Sequence, residues 1–120
     1  MTNWKILYRL GLKEYQSKTL TALMKKGDMT AQKISEESTV PYSKIYTVLK
    51  SLQDMGLVVS TEERPQRYIP RNGEHVVNFL ISRKESELSR IRREASRAKE
   101  KLCTMKSIDM TNTMYQQKTL

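Results

Sequence analysis

The chain is poor in the residues that most often do chemistry. It has one cysteine, Cys103, and one histidine, His75. A lone cysteine forms no internal disulfide, which points to a reducing compartment. No His or Asn partner for a reactive thiol is apparent, and a helical pattern around Cys103 predicts a small packing residue. His75 has no cysteine or carboxylate at metal-ligand spacing, so no metal site is expected. There is no GxGxxG and no phosphate-binding loop. With no catalytic constellation, neither an enzyme nor a cofactor is expected. Apolar runs fall far short of a membrane span. The opening residues, MTNWKILYRL, lack the apolar stretch of a signal peptide. A cytoplasmic protein with no membrane partner is expected.

Glycine and proline are scarce as well, with 4 and 3 copies. Both are unfavourable inside helices and strands, so they mark boundaries. Gly11, Gly27, Gly56 and Gly73 divide the chain, and Pro41, Pro65 and Pro70 fall between them.

What the sequence has in excess is positive charge. Its 120 residues carry 22 Lys/Arg against 13 Asp/Glu, a net of +9. Residues 1–72 hold 12 basic against 7 acidic residues, and residues 73–120 hold 10 against 6, so both halves share the excess. An acidic partner is favoured, nucleic acid or an anionic surface. The plainer alternative is a basic, solvated surface. The length suits one domain, or one small domain with an appendage. So short a chain has little apolar surface to spare, and pairing with a second copy would help.

Residues 3–10 predict a short leading helix packed through Trp4 and Leu7. Residues 13–26 predict a helix whose Leu12, Tyr15, Thr19 and Leu23 recur every three to four positions, with Leu20 and Met24 alongside. Lys25 and Lys26 suit the negative end of its dipole, and Gly27 ends it. Thr30 is a good N-cap for a helix over 31–38. Its apolar content is Ala31 and Ile34, so neighbours must hold it. Pro41 fits the first position of a helix over 41–55. There Ile45, Val48, Leu49 and Leu52 give one buried face, and Gly56 stops it. Val58–Thr61 and Arg67–Ile69 predict two antiparallel strands joined by a charged loop containing Pro65.

Three helices and a hairpin make a winged helix-turn-helix. In that plan the helix over 41–55 enters the major groove of DNA. Its outward face presents Tyr42, Ser43, Lys44, Thr47, Lys50 and Ser51. Lysines reach phosphate or guanine, and hydroxyls bond phosphate or base. Tyr46 borders the apolar face, where core packing is favoured over DNA contact. Helix starts attract phosphate, which adds Thr30 and Gln32 as candidates. Arg64, Gln66 and Arg67 sit at the hairpin tip, where arginine suits a backbone or minor-groove contact. Glu62 and Glu63 soften the charge there.

From Glu74 to about Lys106 there is neither glycine nor proline. Val77, Ile81, Lys84, Leu88, Ile91, Ala95, Ala98, Leu102 and Met105 alternate in steps of four and three. That is a heptad seam, and it predicts a homodimer through a coiled coil; packing back on its own domain is the alternative. Lys84, Ala95 and Ala98 weaken it. Between Arg83 and Lys101 there are 8 basic and 4 acidic residues, an ion-paired solvated helix or a second phosphate-contacting surface. Dispersed methionines fill core or seam. The expected architecture is mostly α with a small β-hairpin: a winged helix-turn-helix over 1–72, a long coiled-coil helix over 73–107, and a flexible polar tail over 108–120.

Residues 10–41, LGLKEYQSKTLTALMKKGDMTAQKISEESTVP, and residues 42–70, YSKIYTVLKSLQDMGLVVSTEERPQRYIP, resemble the DNA-binding domain of the TrmB-like family of archaeal transcription regulators. The likeness lies in LGL-x-EY, VP-x-S-x-IY-x-VL-x-SL and GLV…RP-x-RY-x-P. It implies a dimeric, sequence-specific DNA binder, with Ser43, Lys44, Tyr46 and the Arg64–Arg67 wing as candidate contacts. Many members carry a long sugar-binding domain after the wing. Here a coiled-coil pattern follows instead, so a short form with no small-molecule effector is expected. Three readings stand: a homodimeric regulator of specific double-stranded sites, a non-specific protein that coats or segregates DNA, and a module that docks another protein.

Overall fold

A computed structural model describes residues 3–105. Along the chain run α1 (Lys5–Arg9), α2 (Glu14–Lys26), β1 (Met29–Thr30), α3 (Ala31–Ser38), α4 (Tyr42–Asp54), β2 (Val58–Ser60), β3 (Arg67–Pro70) and α5 (Gly73–Cys103). The expected tail over 108–120 lies outside the described residues.

Local chemistry sets the element ends. At the start of α2 the Lys13 N–H donates to Gln16 Oε1 at 2.9 Å. At its end Gly27, with φ of 91°, donates its N–H to the Leu23 carbonyl. Thr30 caps α3 as expected, its hydroxyl accepting from the Lys33 N–H at 3.4 Å. Asn72 Oδ1 accepts from the His75 N–H at 2.8 Å in the first turn of α5. Pro41 departs from expectation. Its ψ of 138° is extended, so it is the cap residue before α4 rather than the first residue within it. A proline so placed gives up no helical hydrogen bond.

The core gathers one stripe from each helix. Leu20, Leu23, Ile34, Ile45, Leu49 and Leu52 are fully buried, with Val40, Leu57 and Val58 beside them. On α2 the face is offset from the expected one. Thr19, Leu20 and Leu23 are inside, whereas Tyr15 and Met24 are 37% and 39% exposed. They sit at the edge of the stripe, where long side chains reach solvent. Leu7 anchors α1, and the Lys18 ammonium lies 5.0 Å from the Trp4 ring centre.

The sheet has three antiparallel strands in the order β1-β3-β2. Val59 pairs with Ile69 and Ser60 with Tyr68, the expected hairpin. The third strand was not expected: Met29 pairs with Tyr68 and Thr30 with Arg67. Two residues between a glycine stop and a helix cap are too few to show alternation.

The described chain divides into two compact units between Lys84 and Glu85. The first turns of α5 belong to the winged unit, because Val76 and Leu80 are fully buried. Arg83 fastens this segment, donating to the Gly11 carbonyl at 2.9 Å and to Met55 Sδ at 3.1 Å. Gly11 itself has φ of 117°, and a Cβ there would stand 3.1 Å from Lys84 Cε. That backbone conformation favours glycine. In the second unit every described residue from Glu85 on is exposed. Cys103 is among them, so it is not a packing residue within the single chain.

Two substitutions test the core. Leu52→Ala should lower unfolding free energy by about 2–5 kcal/mol, because it removes a fully buried side chain. The Thr19 hydroxyl is buried without a hydrogen-bond partner. Thr19→Val should therefore raise stability by roughly 1 kcal/mol. Urea denaturation of the two variants measures both.

Candidate nucleic-acid interface

The short connection Thr39-Val40-Pro41 sets how α4 follows α3. Thr39 adopts a left-handed conformation, φ 64°, and its N–H closes α3 on the Ser35 carbonyl. Ser35 Oγ donates to the Val40 carbonyl at 2.6 Å. Val40 is 1% exposed, so the turn is pinned by an apolar side chain as well as by hydrogen bonds.

From this turn α4 buries Ile45, Val48, Leu49 and Leu52 and exposes Tyr42, Ser43, Lys44, Thr47 and Lys50. Those five are among the six residues expected on its outward face. Two neighbours differ from expectation. Tyr46 is 54% exposed rather than turned toward the core. Its hydroxyl lies 3.2 Å from that of Tyr42, one helical turn earlier, and the rings meet edge to face. This hydrogen bond first, with some desolvation, pushes the Tyr46 phenol above its ordinary value of 10.0. The pair presents two hydroxyls and apolar ring edges on the exposed face. Ser51 is drawn inward instead of facing out. Its hydroxyl donates to the Val48 carbonyl at 2.6 Å and accepts from Gln16 Nε2 at 3.1 Å, tying α4 to α2. An open groove of about 510 Å³ lies there, with Lys44 and Thr47 among its lining residues and Lys13 at the start of α2.

Lys50 pairs with Asp54 at 3.7 Å, which leaves Lys44 as the α4 lysine with no acidic partner among the described residues. On α3 the Thr30 hydroxyl is a cap, Gln32 is exposed, and Lys33 lies between Glu36 and Glu37 at 3.9 and 3.6 Å.

The hairpin separates three residues expected together at its tip. Arg64 is exposed there. Gln66 is half-buried: Nε2 donates to the Thr61 carbonyl at 3.2 Å, and Oε1 accepts from the buried Tyr68 hydroxyl at 3.4 Å. Arg67 lies within β3, and its Nε donates to Asp28 Oδ2 at 2.9 Å while Nη2 donates to the Asp28 carbonyl at 2.8 Å. No local signal reveals this pairing, because the partners are 39 residues apart. The arginine's hydrogen bond, then its charge, hold the Asp28 carboxyl below its ordinary 3.8.

The residues expected at a dimer seam face outward. On the first unit Val77 and Ile81 are 42% and 44% exposed. On the second, Leu88, Ile91, Leu102 and Met105 are exposed together with Ala95 and Ala98. Among the described residues no cluster of His, Cys, Asp or Glu is placed to hold a metal ion, and no helix is long and apolar enough to cross a membrane.

A helix-turn-helix carrying this outward face, with a wing beside it, has close counterparts. The family model described as "Sugar-specific transcriptional regulator TrmB" matches residues 7–73. The chain belongs to the TrmB family. The match to this family of transcriptional regulators runs from within α1 through β3 and so includes the elements that build the candidate interface. The HTH-type sugar sensing transcriptional regulator TrmBL1 of Pyrococcus furiosus is 32% identical over 87 residues, covering 72% of this chain and 26% of that protein. The Bacillus subtilis protein YrhO is 38% identical over 65 residues, covering 54% of this chain and 24% of that protein. The chain thus spans about a quarter of the length of these curated relatives. The solved structure of TrmBL2, described as an archaeal chromatin protein with a novel mode of DNA binding, superposes with a TM-score of 0.73. It is 24% identical, with 82% of this chain and 40% of that chain covered, and so shows the shared fold.

The Asp28–Arg67 contact has a pH signature. A carboxyl held below its ordinary value contributes stability above that value, and the contribution is lost as pH falls through the lowered one. In an NMR titration the Asp28 carboxyl should have its midpoint below 3.8. In Arg67→Ala the midpoint should move up toward that value.

Proposed function

We propose that this chain binds specific double-stranded DNA sites as a homodimeric transcription regulator. In this reading α4 enters the major groove, and the wing touches the backbone or minor groove. The observation that carries the proposal is the division of α4 into two faces. Ile45, Val48, Leu49 and Leu52 hold it from behind, while Tyr42, Ser43, Lys44, Tyr46 and Thr47 are exposed. With Lys50, which pairs with Asp54, that face mixes two lysines with hydroxyls and aromatic edges. A mixed set suits base edges, whereas a run of lysines would suit phosphate alone. Membership of a family of transcription regulators supports the same reading. Thr30 and Gln32, at the α3 start, fit a phosphate contact.

Pairing is supported by the stripe on α5. Leu88, Ile91, Leu102 and Met105 recur at heptad spacing and are 47–62% exposed in the single chain. A second copy would remove this apolar stripe from water. A two-fold pair of winged units matches a site with two half-sites about one helical turn apart. The proposed place of action is the nucleoid, within the cytoplasm.

Selection from random duplexes followed by gel-shift titration tests the reading. A selected site should be bound at least about 10³-fold more tightly than random DNA. Lys44→Ala should weaken that site by about 1–3 kcal/mol and relax preference at one base position. Equal affinity for every duplex, with Lys44→Ala acting alike on all, would move the assignment to a DNA-coating protein. Sedimentation at micromolar concentration should show a dimer, and Leu88→Asp with Ile91→Asp should leave a monomer.

A further inference from the structure

The two wing arginines are placed for different work. Arg67 is held at both levels. Its N–H donates to Thr61 Oγ1 at 3.1 Å, and its carbonyl accepts from the Thr61 N–H at 2.9 Å. Its guanidinium grips Asp28 by side chain and main chain, at 2.9 and 2.8 Å. Arg64, by contrast, is exposed at the tip and has no hydrogen-bond or ion-pair partner among the described residues.

Asp28 occupies a decisive point in the chain. It follows Gly27, which closes α2, and stands two residues before Thr30, which caps α3. The ladder joining this corner to the wing is short, Met29 with Tyr68 and Thr30 with Arg67. So few rungs hold a wing loosely. A guanidinium that chelates one residue's carboxylate and carbonyl adds a fixed direction to that ladder, because its donors lie in a rigid plane. The partners' side chains are 42% and 51% exposed, so the contact adds little to global stability. Its effect is positional. It also sets a positive charge against an exposed acid two residues before the α3 cap.

We infer that Asp28 and Arg67 form a latch that positions the wing against the helix-turn-helix, and that Arg64 is the wing arginine that touches DNA. Asp28 and Arg67 are then positioning residues. This rests on the DNA-binding reading above and assigns separate roles within it.

The test uses the full chain and a duplex selected with it, with affinity measured across a salt series. Arg64→Ala should lower the slope of log K against log salt by about one, the signature of a lost phosphate contact. Asp28→Ala and Arg67→Ala should each weaken binding by a similar factor, on the order of tenfold, while keeping the slope. Combined, they should be no worse than either alone, because both break one latch. Exchanging the partners, Asp28→Arg with Arg67→Asp, keeps the net charge and should recover part of the loss. The latch assignment is overturned if Arg67→Ala lowers the slope by about one while Asp28→Ala leaves binding unchanged or tighter. It is overturned equally if the exchanged pair binds worse than both single variants. If the unmodified chain binds no duplex at low salt, the DNA-binding reading itself falls. In that case an Asp28 carboxyl that still titrates low in the free protein shows that the contact exists without that purpose.

Discussion

The aliphatic grip on the back of α4 is the constraint on which the rest of the molecule depends. Ile45, Leu49 and Leu52 are essentially fully buried, and they meet Leu20 and Leu23 of α2 and Ile34 of α3 in one cluster. Because this burial holds the helix from behind, its exposed groups are largely relieved of structural duty. That separation lets hydroxyls, two lysines and two tyrosines stand in water without costing the fold an unsatisfied group. The Gln16–Ser51 bond is a polar tie from α4 to α2, and it sits at the margin of that face.

Much of this was legible in the residues because helices announce their buried side by period. Ile45, Val48, Leu49 and Leu52 recur as a buried stripe must, and glycine or a good cap marked most boundaries. The parts that escaped are those decided by distant partners or by very short elements. The strand Met29–Thr30 has no room for a pattern. Arg67 looked like any wing arginine until Asp28 was brought beside it by the fold. Tyr46 and Ser51 flank the apolar stripe, where a small rotation of the helix decides which is inside. On α2 the buried face likewise runs through Thr19, Leu20 and Leu23 rather than through Tyr15 and Met24.

On α5, adjacent residues carry two different obligations. Val76 and Leu80 are fully buried in the winged unit, while Val77 and Ile81, one position further round, are exposed and continue the heptad pattern. Periodicity alone reported the second stripe and hid the first, because both are aliphatic and both recur every four residues. The Arg83 contacts with Gly11 and Met55 hold the inner stripe in place.

The tight corner between α3 and α4 has a consequence for how such a chain changes its preference. With Thr39 in a left-handed conformation, Val40 sunk in the core and Pro41 fixing the next dihedral, the backbone has little freedom to tilt the following helix. Solvent-side groups on α4 can therefore be exchanged on an unchanged frame. Under the DNA-binding reading proposed above, positions 42, 43, 44 and 47 can be varied as a cassette, and a library built there would sample recognition while sparing foldability.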